Sequence, residues 1–136
     1  MFRKDHIGEF KKKINFKVKG ITKRTVQYGP FKDLIIDENV WNEYDLSSKL
    51  LGIYEIHISS KIEELSANYE MFINLGGGDG YFALGFSKLY PHKKCVVFEK
   101  DLLNRASIKV NSQSNGLTNV TLKESVNETN LVSILE

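Results

Sequence analysis

Residues 71–84 read MFINLGGGDGYFAL, and this stretch determines how the rest of the chain is interpreted. The first five residues form a mainly apolar run, which is typical of a buried strand. Four glycines then occupy five positions, and an apolar stretch with helical periodicity follows at once. The order of strand, glycine-rich turn and helix predicts a site for a nucleotide-like cofactor. Glycine lets a ligand approach the main chain closely, and a helix start offers free N–H groups.

The spacing of the glycines narrows the kind of cofactor. Gly76, Gly78 and Gly80 read G-x-G-x-G, whereas the dinucleotide fingerprint is G-x-G-x-x-G. The third glycine of that fingerprint would fall on Tyr81, whose side chain would obstruct close packing of helix on strand. No Gly-Lys-Ser/Thr follows, so a phosphate loop is also disfavoured. The turn therefore favours an adenosine ligand without a pyrophosphate, and it disfavours a nicotinamide-dependent oxidoreductase.

A carboxylate after the next apolar run supports this interpretation. Residues 95–98 read CVVF, which indicates a second strand, and the run ends in Glu99. A carboxylate at this strand end can accept hydrogen bonds from both ribose hydroxyls of an adenosine. The alternative is a solvated glutamate without a ligand. Because Glu99 follows the glycine turn at a suitable distance, we favour the ribose role.

These motifs together resemble a known family. The stretches 72–81 and 97–101 are similar to motif I and its successor in class I S-adenosylmethionine-dependent methyltransferases. Asn111 with residues 115–120 resembles the same region of the FkbM-type branch, and residues 29–32 and 50–55 are similar to the lead-in of that group. The resemblance runs from about Gly29 to Val126, which is most of the chain.

The resemblance implies S-adenosylmethionine as the cofactor and suggests which residues would bind it. Motif I usually carries an acidic residue where this chain has Asn74, whose amide can hydrogen-bond but cannot pair with the α-amino charge of the ligand. Asp79 would either bond amides of the turn or face the amino acid part of the cofactor. Glu55 would lie near the cofactor or on a helix surface. The full set of candidate cofactor-binding residues is Asn74, Gly76, Gly78, Asp79, Gly80, Glu99, Glu55 and Glu124.

The periodicity along the chain predicts an α/β fold. Strands are expected at about 71–75, 95–99 and 119–123, with helices at 80–90 and 101–114 between them and another beginning near 127. This alternation predicts a partial, Rossmann-like parallel sheet covered by helices. Upstream, a helix from Asp45 or Ser47 to Leu51 is expected to end at Gly52. A second helix from Tyr54 to Leu65 would place Tyr54, Ile58, Ile62 and Leu65 on one face.

The pattern of the first 40 residues predicts β structure. Ile14, Phe16 and Val18 alternate with polar residues as in a half-buried strand, and residues 34–36 suggest a second strand after a turn at 28–30. We therefore expect a basic arm and a small antiparallel β cap over 1–43, followed by a cofactor-binding domain over 44–136 that represents only the N-terminal half of a methyltransferase. Trp41 is expected to pack where the cap meets the domain.

The predicted sheet is smaller than the resemblance requires. With the spatial order three, two, one, one edge of the first strand has no partner, which favours association. One explanation, which we favour, is that the chain is a fragment of a longer methyltransferase. Another is that this edge pairs with the cap or with a second copy in a homo-oligomer. The third alternative is a non-catalytic nucleoside-binding or assembly module. The methyl acceptor stays unknown, and no catalytic residue is assigned because the base is expected in the absent half.

Composition sets broad limits on location. The chain has 136 residues, 41% of them hydrophobic and 26% charged, as in an ordinary globular domain. No apolar run approaches the roughly 18 residues of a membrane span, and one cysteine excludes an intrachain disulfide. These features predict a cytoplasmic protein without a membrane partner. His6, His57 and His92 have no second ligand at metal spacing, so no metal site is predicted.

Charge is unevenly distributed. Residues 1–24 contain nine Lys and Arg against two Asp and Glu, a balance of +7, whereas the remainder has ten against fifteen, a balance of −5. A basic segment can attract nucleic acid or acidic membranes. We favour a solvated, lysine-rich sheet edge that discourages aggregation, and we disfavour a nucleic-acid partner.

Overall fold

The structure is a computed structural model that describes residues 6–37 and 43–135. Within these residues the chain forms six α-helices, one short 3₁₀ turn and three strands. Trp41 lies outside the described residues. The elements in chain order are α1 (His6–Thr22), the 3₁₀ turn (Glu43–Asp45), α2 (Leu46–Leu51), α3 (Ile56–Ser66), β1 (Met71–Leu75), α4 (Tyr81–Leu89), β2 (Lys94–Phe98), α5 (Leu102–Ser114), β3 (Val120–Lys123) and α6 (Glu128–Leu135).

The three strands form one parallel sheet in the order β1-β2-β3, which confirms the predicted strands and their spatial order. In the register, Ile73 lies opposite Val96, and Val96 lies opposite Thr121. The apolar residues of the central strand, 95–98, are all buried. A strand that is apolar on both faces is expected where a parallel sheet is covered on both sides.

Helices cover the two faces of the sheet. Cys95 and Val97 of β2 belong to the main core, together with residues of α4 and with Ile108 of α5. Val96 and Phe98 point to the opposite face, where they pack with Ile134 of α6. This alternation follows from the two-residue period of a strand, and it gives a layered α/β arrangement.

The N-terminal segment differs from the predicted β cap. The expected strand over 14–18 is wrong, since these residues lie in the middle of α1. Alternation over five residues fits a strand, but Ile7, Ile14 and Ile21 recur with the seven-residue spacing of a helix, and the longer pattern prevails. Antiparallel pairing in the described residues is limited to a single bridge between Thr25 and Ile35.

Residues 34–36 bond to residues 24–26 through their backbones, and a side chain gives Ile35 a further partner. The Asn115 Oδ1 accepts a hydrogen bond from the Ile35 N–H at 2.9 Å, and its Nδ2 donates to the Ile35 carbonyl at 2.8 Å. The amide therefore pairs with the backbone as a neighbouring strand would. The predicted helix stop at this position is confirmed, because α5 ends at Ser114 and Asn115 is its C-cap.

Helices α2 and α3, which lead into β1, form near their predicted positions. The first ends at Gly52, whose φ of 76° is in the left-handed region, as predicted. The second is rotated relative to expectation, because Ile58 and Leu65 are exposed whereas Ser59 and Ser66 are buried. Apolar spacing alone did not give the docking face, because the buried residues of α3 include these two small polar side chains.

β2 pairs with one edge of β1, and the described residues provide no strand for the other edge of β1. Leu75 at the end of β1 is 58% exposed. Association through this edge stays a prediction. None of the helices in the described ranges combines the length and apolar character that crossing a membrane requires.

The contact between Phe31 and α4 yields a stability prediction. A Cβ added at Gly85 of α4 would lie 2.3 Å from the Phe31 ring, whereas one added at Gly20 of α1 would meet no atom within 4 Å. We therefore expect Gly85→Ala to lower the free energy of unfolding by about 1 to 3 kcal/mol through overpacking. Gly20→Ala should leave it unchanged or raise it by up to about 1 kcal/mol, since alanine favours helix. Urea unfolding followed by circular dichroism measures the free energy of unfolding of both variants. Equal changes for the two variants would contradict the close packing of Gly85 against Phe31.

Candidate functional site

The glycine turn between β1 and α4 is fastened to the end of β2. The N–H groups of Gly76 and Gly77 both donate to the Phe98 carbonyl, at 2.8 and 3.0 Å. The Gly78 N–H donates to the Glu99 Oε2 at 2.8 Å. Three successive amides of the turn are thus bound by the last residue of β2 and the residue after it.

This attachment explains why the turn is rich in glycine. A Cβ on Gly77 would lie 2.4 Å from the Val97 Cγ1, so the main chain passes too close to β2 for any side chain. Gly76, Gly78 and Gly80 have φ values of 79°, 58° and 89°, which side chains disfavour. The pattern recognised in the sequence is therefore required by the local geometry.

The Glu99 carboxylate also orders the start of α5. It is buried, and its Oε1 accepts a hydrogen bond from the Asp101 N–H at 2.8 Å. Asp101 is the N-cap of α5, with its Oδ1 accepting from the Asn104 N–H at 2.9 Å. A carboxylate offers about four acceptor positions, and the two amide bonds use two of them. Glu99 therefore retains acceptor capacity for a hydroxyl group of a ligand.

A cleft of about 720 Å³ lies beside these groups, at the carboxyl ends of β2 and β3. This volume falls within the roughly 300 to 1,000 Å³ of small-molecule sites, and the edge is where open α/β sheets bind ligands. Charged groups of the lining are mainly acidic, and Phe98, Leu103 and Val126 contribute apolar surface. The lining residues are Gly76, Phe98, Glu99, Lys100, Asp101, Leu103, Asn104, Glu124, Ser125 and Val126.

Three of the predicted cofactor-binding residues, Gly76, Glu99 and Glu124, line this cleft. Glu124 is 74% exposed and lies 3.3 Å from Arg105. Gly78, Asp79 and Gly80 are buried in the turn and are not among the lining residues. They shape the turn from behind the cleft.

The other two candidates lie outside the lining. Asn74 is half-buried in β1, opposite Val97. Glu55 is exposed at the N-cap of α3, with φ at 40°. The structure therefore does not bring these two side chains to the cleft.

Several lining residues were not predicted from the sequence. Asp101 carried a usable signal, because an aspartate directly before a periodic apolar run is a common helix cap. Leu103 and Asn104 belong to the first turn of α5, which the bend after β2 brings to the cleft. Their position depends on the path of the chain rather than on any motif.

Asp79 forms a buried ion pair with Lys49 of α2. The Lys49 Nζ lies 2.6 Å from the Asp79 Oδ2, and the two side chains are 2% and 4% exposed. The Asp79 Oδ1 accepts from the Tyr81 N–H at 3.2 Å, and its backbone carbonyl accepts from the Asn111 Nδ2 at 3.2 Å. Asp79 thus bonds one amide at the end of the turn, which agrees with one of its two expected roles, and a role toward the cofactor stays a prediction.

Two tyrosines surround the ammonium group of this pair. The Lys49 Nζ lies 4.8 Å from the ring centroid of Tyr54 and 6.0 Å from that of Tyr81, within cation–π range. Burial raises the pKa of Tyr81 far above its usual value, and the negative charge of Asp79 adds to this effect. Burial also raises the pKa of Tyr54, with Glu55 as the next cause. Both hydroxyls therefore stay neutral at physiological pH, and the cluster holds the turn without providing a base.

Sequence reasoning missed Lys49. The available signal was its position on the apolar side of α2 between Leu46 and Leu50, all three of which are buried. A lysine at such a position is buried only when it is paired. Its partner lies 30 residues away, so the pair could not be assigned by spacing.

Cys95 is buried in β2. Burial raises the pKa of Cys95 to about 11, so its thiol is protonated at neutral pH and is a poor nucleophile. No group of three or more His, Cys, Asp and Glu side chains is placed to hold a metal ion in the part of the chain that is described.

Comparisons of the chain with protein families, curated proteins and solved structures found no match.

The buried ion pair gives a second prediction. Lys49→Met should lower the free energy of unfolding by about 3 to 5 kcal/mol, because it leaves the Asp79 charge buried without a partner. Adding Asp79→Asn should recover part of this loss, since the uncompensated charge is then removed. The control is Lys61→Met, which breaks the exposed pair with Glu64 and should cost under about 1 kcal/mol. Urea unfolding of the four proteins tests this, and a double variant less stable than Lys49→Met would contradict it.

Proposed function

We propose that this chain is the cofactor-binding half of an S-adenosylmethionine-dependent methyltransferase of the FkbM type, built on a Rossmann-like sheet. The observation that carries the proposal is the buried Glu99 carboxylate. It lies directly after β2, bonds the glycine turn at Gly78, and lines the cleft at the carboxyl ends of the strands. The methyl acceptor is not specified by these residues.

The cleft suits an adenosine. The remaining acceptor capacity of Glu99 fits the two ribose hydroxyls. Leu103 and Val126 are 65% and 43% exposed and lie in the lining, where they offer apolar surface for the faces of an adenine ring. Ser125 beside them offers a hydroxyl and backbone groups to the ring edge. These features support a nucleoside rather than a wholly polar ligand.

The hydrogen bonds of the turn support a sulfonium cofactor over a dinucleotide. A pyrophosphate binds free N–H groups of such a turn, but the amides of Gly76, Gly77 and Gly78 are all bonded within the protein. The lining also contains three carboxylates, Glu99, Asp101 and Glu124, against Lys100 in the lining and Arg105, which pairs with Glu124, so the balance is negative. This charge repels phosphate and attracts the positive sulfonium and amino groups of S-adenosylmethionine.

The bound cofactor would supply an activated methyl group, and the protein would mainly position it. Gly76, Glu99 and Glu124 are the lining residues proposed to hold it. We propose that the base and the acceptor site belong to a part of the enzyme other than the three strands described. We also propose that the enzyme is cytoplasmic. The second candidate is a non-catalytic nucleoside-binding or assembly module, which the open edge of β1 favours. Methyl transfer to any acceptor would reject it.

The test compares two glycines that have similar positive φ values but different surroundings. Gly76 and Gly116 have φ values of 79° and 63°, and a Cβ added to either would meet no atom within 4 Å. Only Gly76 lines the cleft. Both Gly→Ala variants should therefore lose similar stability, about 1 kcal/mol. Only Gly76→Ala should also weaken S-adenosylmethionine binding, by about tenfold or more, since its methyl group would occupy ligand space.

Calorimetric titration with S-adenosylmethionine, S-adenosylhomocysteine and NAD measures this, and Glu99→Ala should bind neither sulfur compound. Glu128→Ala, an exposed change on α6, is the control for loss of a carboxylate and should bind normally. Binding of NAD without binding of S-adenosylmethionine would reject the cofactor assignment. Equal affinities for the Gly76 and Gly116 variants would show that the ligand lies elsewhere.

A further inference from the structure

Most apolar side chains of helix α1 lie away from the face through which the helix contacts the protein. It contacts the 3₁₀ turn and α2, and its buried residues are Gly8, Asn15 and Thr22. The Asn15 Oδ1 accepts a hydrogen bond from the Ser47 N–H at 3.0 Å. The helix therefore docks mainly through small and polar groups, and Val18 is its apolar residue that packs against the protein core.

The apolar residues instead form an exposed stripe. Ile7, Phe10, Ile14 and Ile21 are 72%, 64%, 37% and 82% exposed. At about 100° per residue, these four positions fall within a sector of about 60° on the helix surface. A contiguous exposed apolar stripe on a surface helix indicates an interaction site rather than scattered exposure.

Lysines flank this stripe on both sides. Lys13 and Lys17 lie next to one border and Lys11 next to the other, and all three are exposed. The helix contains five lysines and a single acidic residue, Glu9, which lies on a different side from the stripe. An apolar stripe bordered by lysines is typical of helices that lie in the headgroup region of a membrane, where lysine stems extend toward the phosphates.

We propose that α1 binds the surface of an anionic lipid bilayer, with Ile7, Phe10, Ile14 and Ile21 inserted among the headgroups and the lysines on the lipid phosphates. The charge distribution selects this occupant, because residues 1–24 carry +7 whereas the remainder carries −5. A planar anionic surface therefore attracts the side bearing α1 and repels the rest. A nucleic acid would bind the lysines but leave the apolar stripe in water.

This inference departs from the expectation that the chain has no membrane partner. That expectation rested on the lack of spanning segments and on assigning the basic segment to a solvated sheet edge. The segment His6–Thr22 is instead a helix, and a helix that lies in the interface does not span. The inference is also independent of the proposed cofactor, since α1 shares no residue with the cleft.

The whole chain can be tested by co-sedimentation with vesicles. We expect binding to vesicles of equal parts phosphatidylserine and phosphatidylcholine, weakening as salt rises, and no binding to phosphatidylcholine alone. The stripe variant Ile7→Ser with Ile21→Ser should bind about tenfold more weakly or worse, because it removes inserted apolar area. The charge variant Lys13→Glu with Lys17→Glu should lose binding as well.

Phe16→Ser is the matched control. Phe16 is 81% exposed on the same helix but lies about 120° from Phe10, outside the stripe, so its replacement should leave vesicle binding unchanged. All substituted side chains are exposed, and circular dichroism checks that each variant folds. Absence of binding to anionic vesicles at low salt would overturn the proposal. Equal losses for the stripe variant and Phe16→Ser, or tighter binding to duplex DNA than to vesicles, would overturn it too.

Discussion

The attachment of the glycine turn to the end of β2 is the interaction on which the rest of the site depends. The Phe98 carbonyl and the Glu99 carboxylate together bind the amides of Gly76, Gly77 and Gly78. The other oxygen of Glu99 bonds the Asp101 N–H, directly before α5. One buried carboxylate thus fixes the path between β1 and α4 and the start of α5, and the cleft is the space that these segments leave between them.

This arrangement is held from behind by a second polar contact. Lys49 reaches from α2 to Asp79 in the turn, and Tyr54 and Tyr81 exclude water from the pair. Because a buried charge is stable only when paired, loss of either the lysine or the aspartate destabilises the folded protein. The polar groups of the turn therefore form hydrogen bonds and ion pairs mainly within the protein. The cleft is left with acidic and apolar surface, which suits a nucleoside carrying positive charge better than one carrying phosphates.

The sheet could be predicted from the sequence because its signals are local. β1 and β2 are short, mainly apolar runs, and the helices after them carry apolar residues at helical spacing. Glycine, proline or a helix cap bounds these segments, and Gly76 and Glu99 follow from strand-end position. The N-terminal region could not be predicted in this way, since five alternating residues around Phe16 imitate a strand within a longer helical pattern. Lys49 was missed because its partner is distant in sequence, and the side-chain pairing of Asn115 with Ile35 has no pattern at all.

The central claim is that the cleft beside Glu99 binds the adenosine part of S-adenosylmethionine. Amide chemical shifts of the ¹⁵N-labelled chain during a titration with S-adenosylmethionine test it most directly, because they locate the ligand residue by residue. We expect saturable shifts at Gly76, at residues 99–104 and at residues 124–126, with the amides of α1 unchanged. Shifts confined to other regions, or none at a large excess of ligand, would contradict the account.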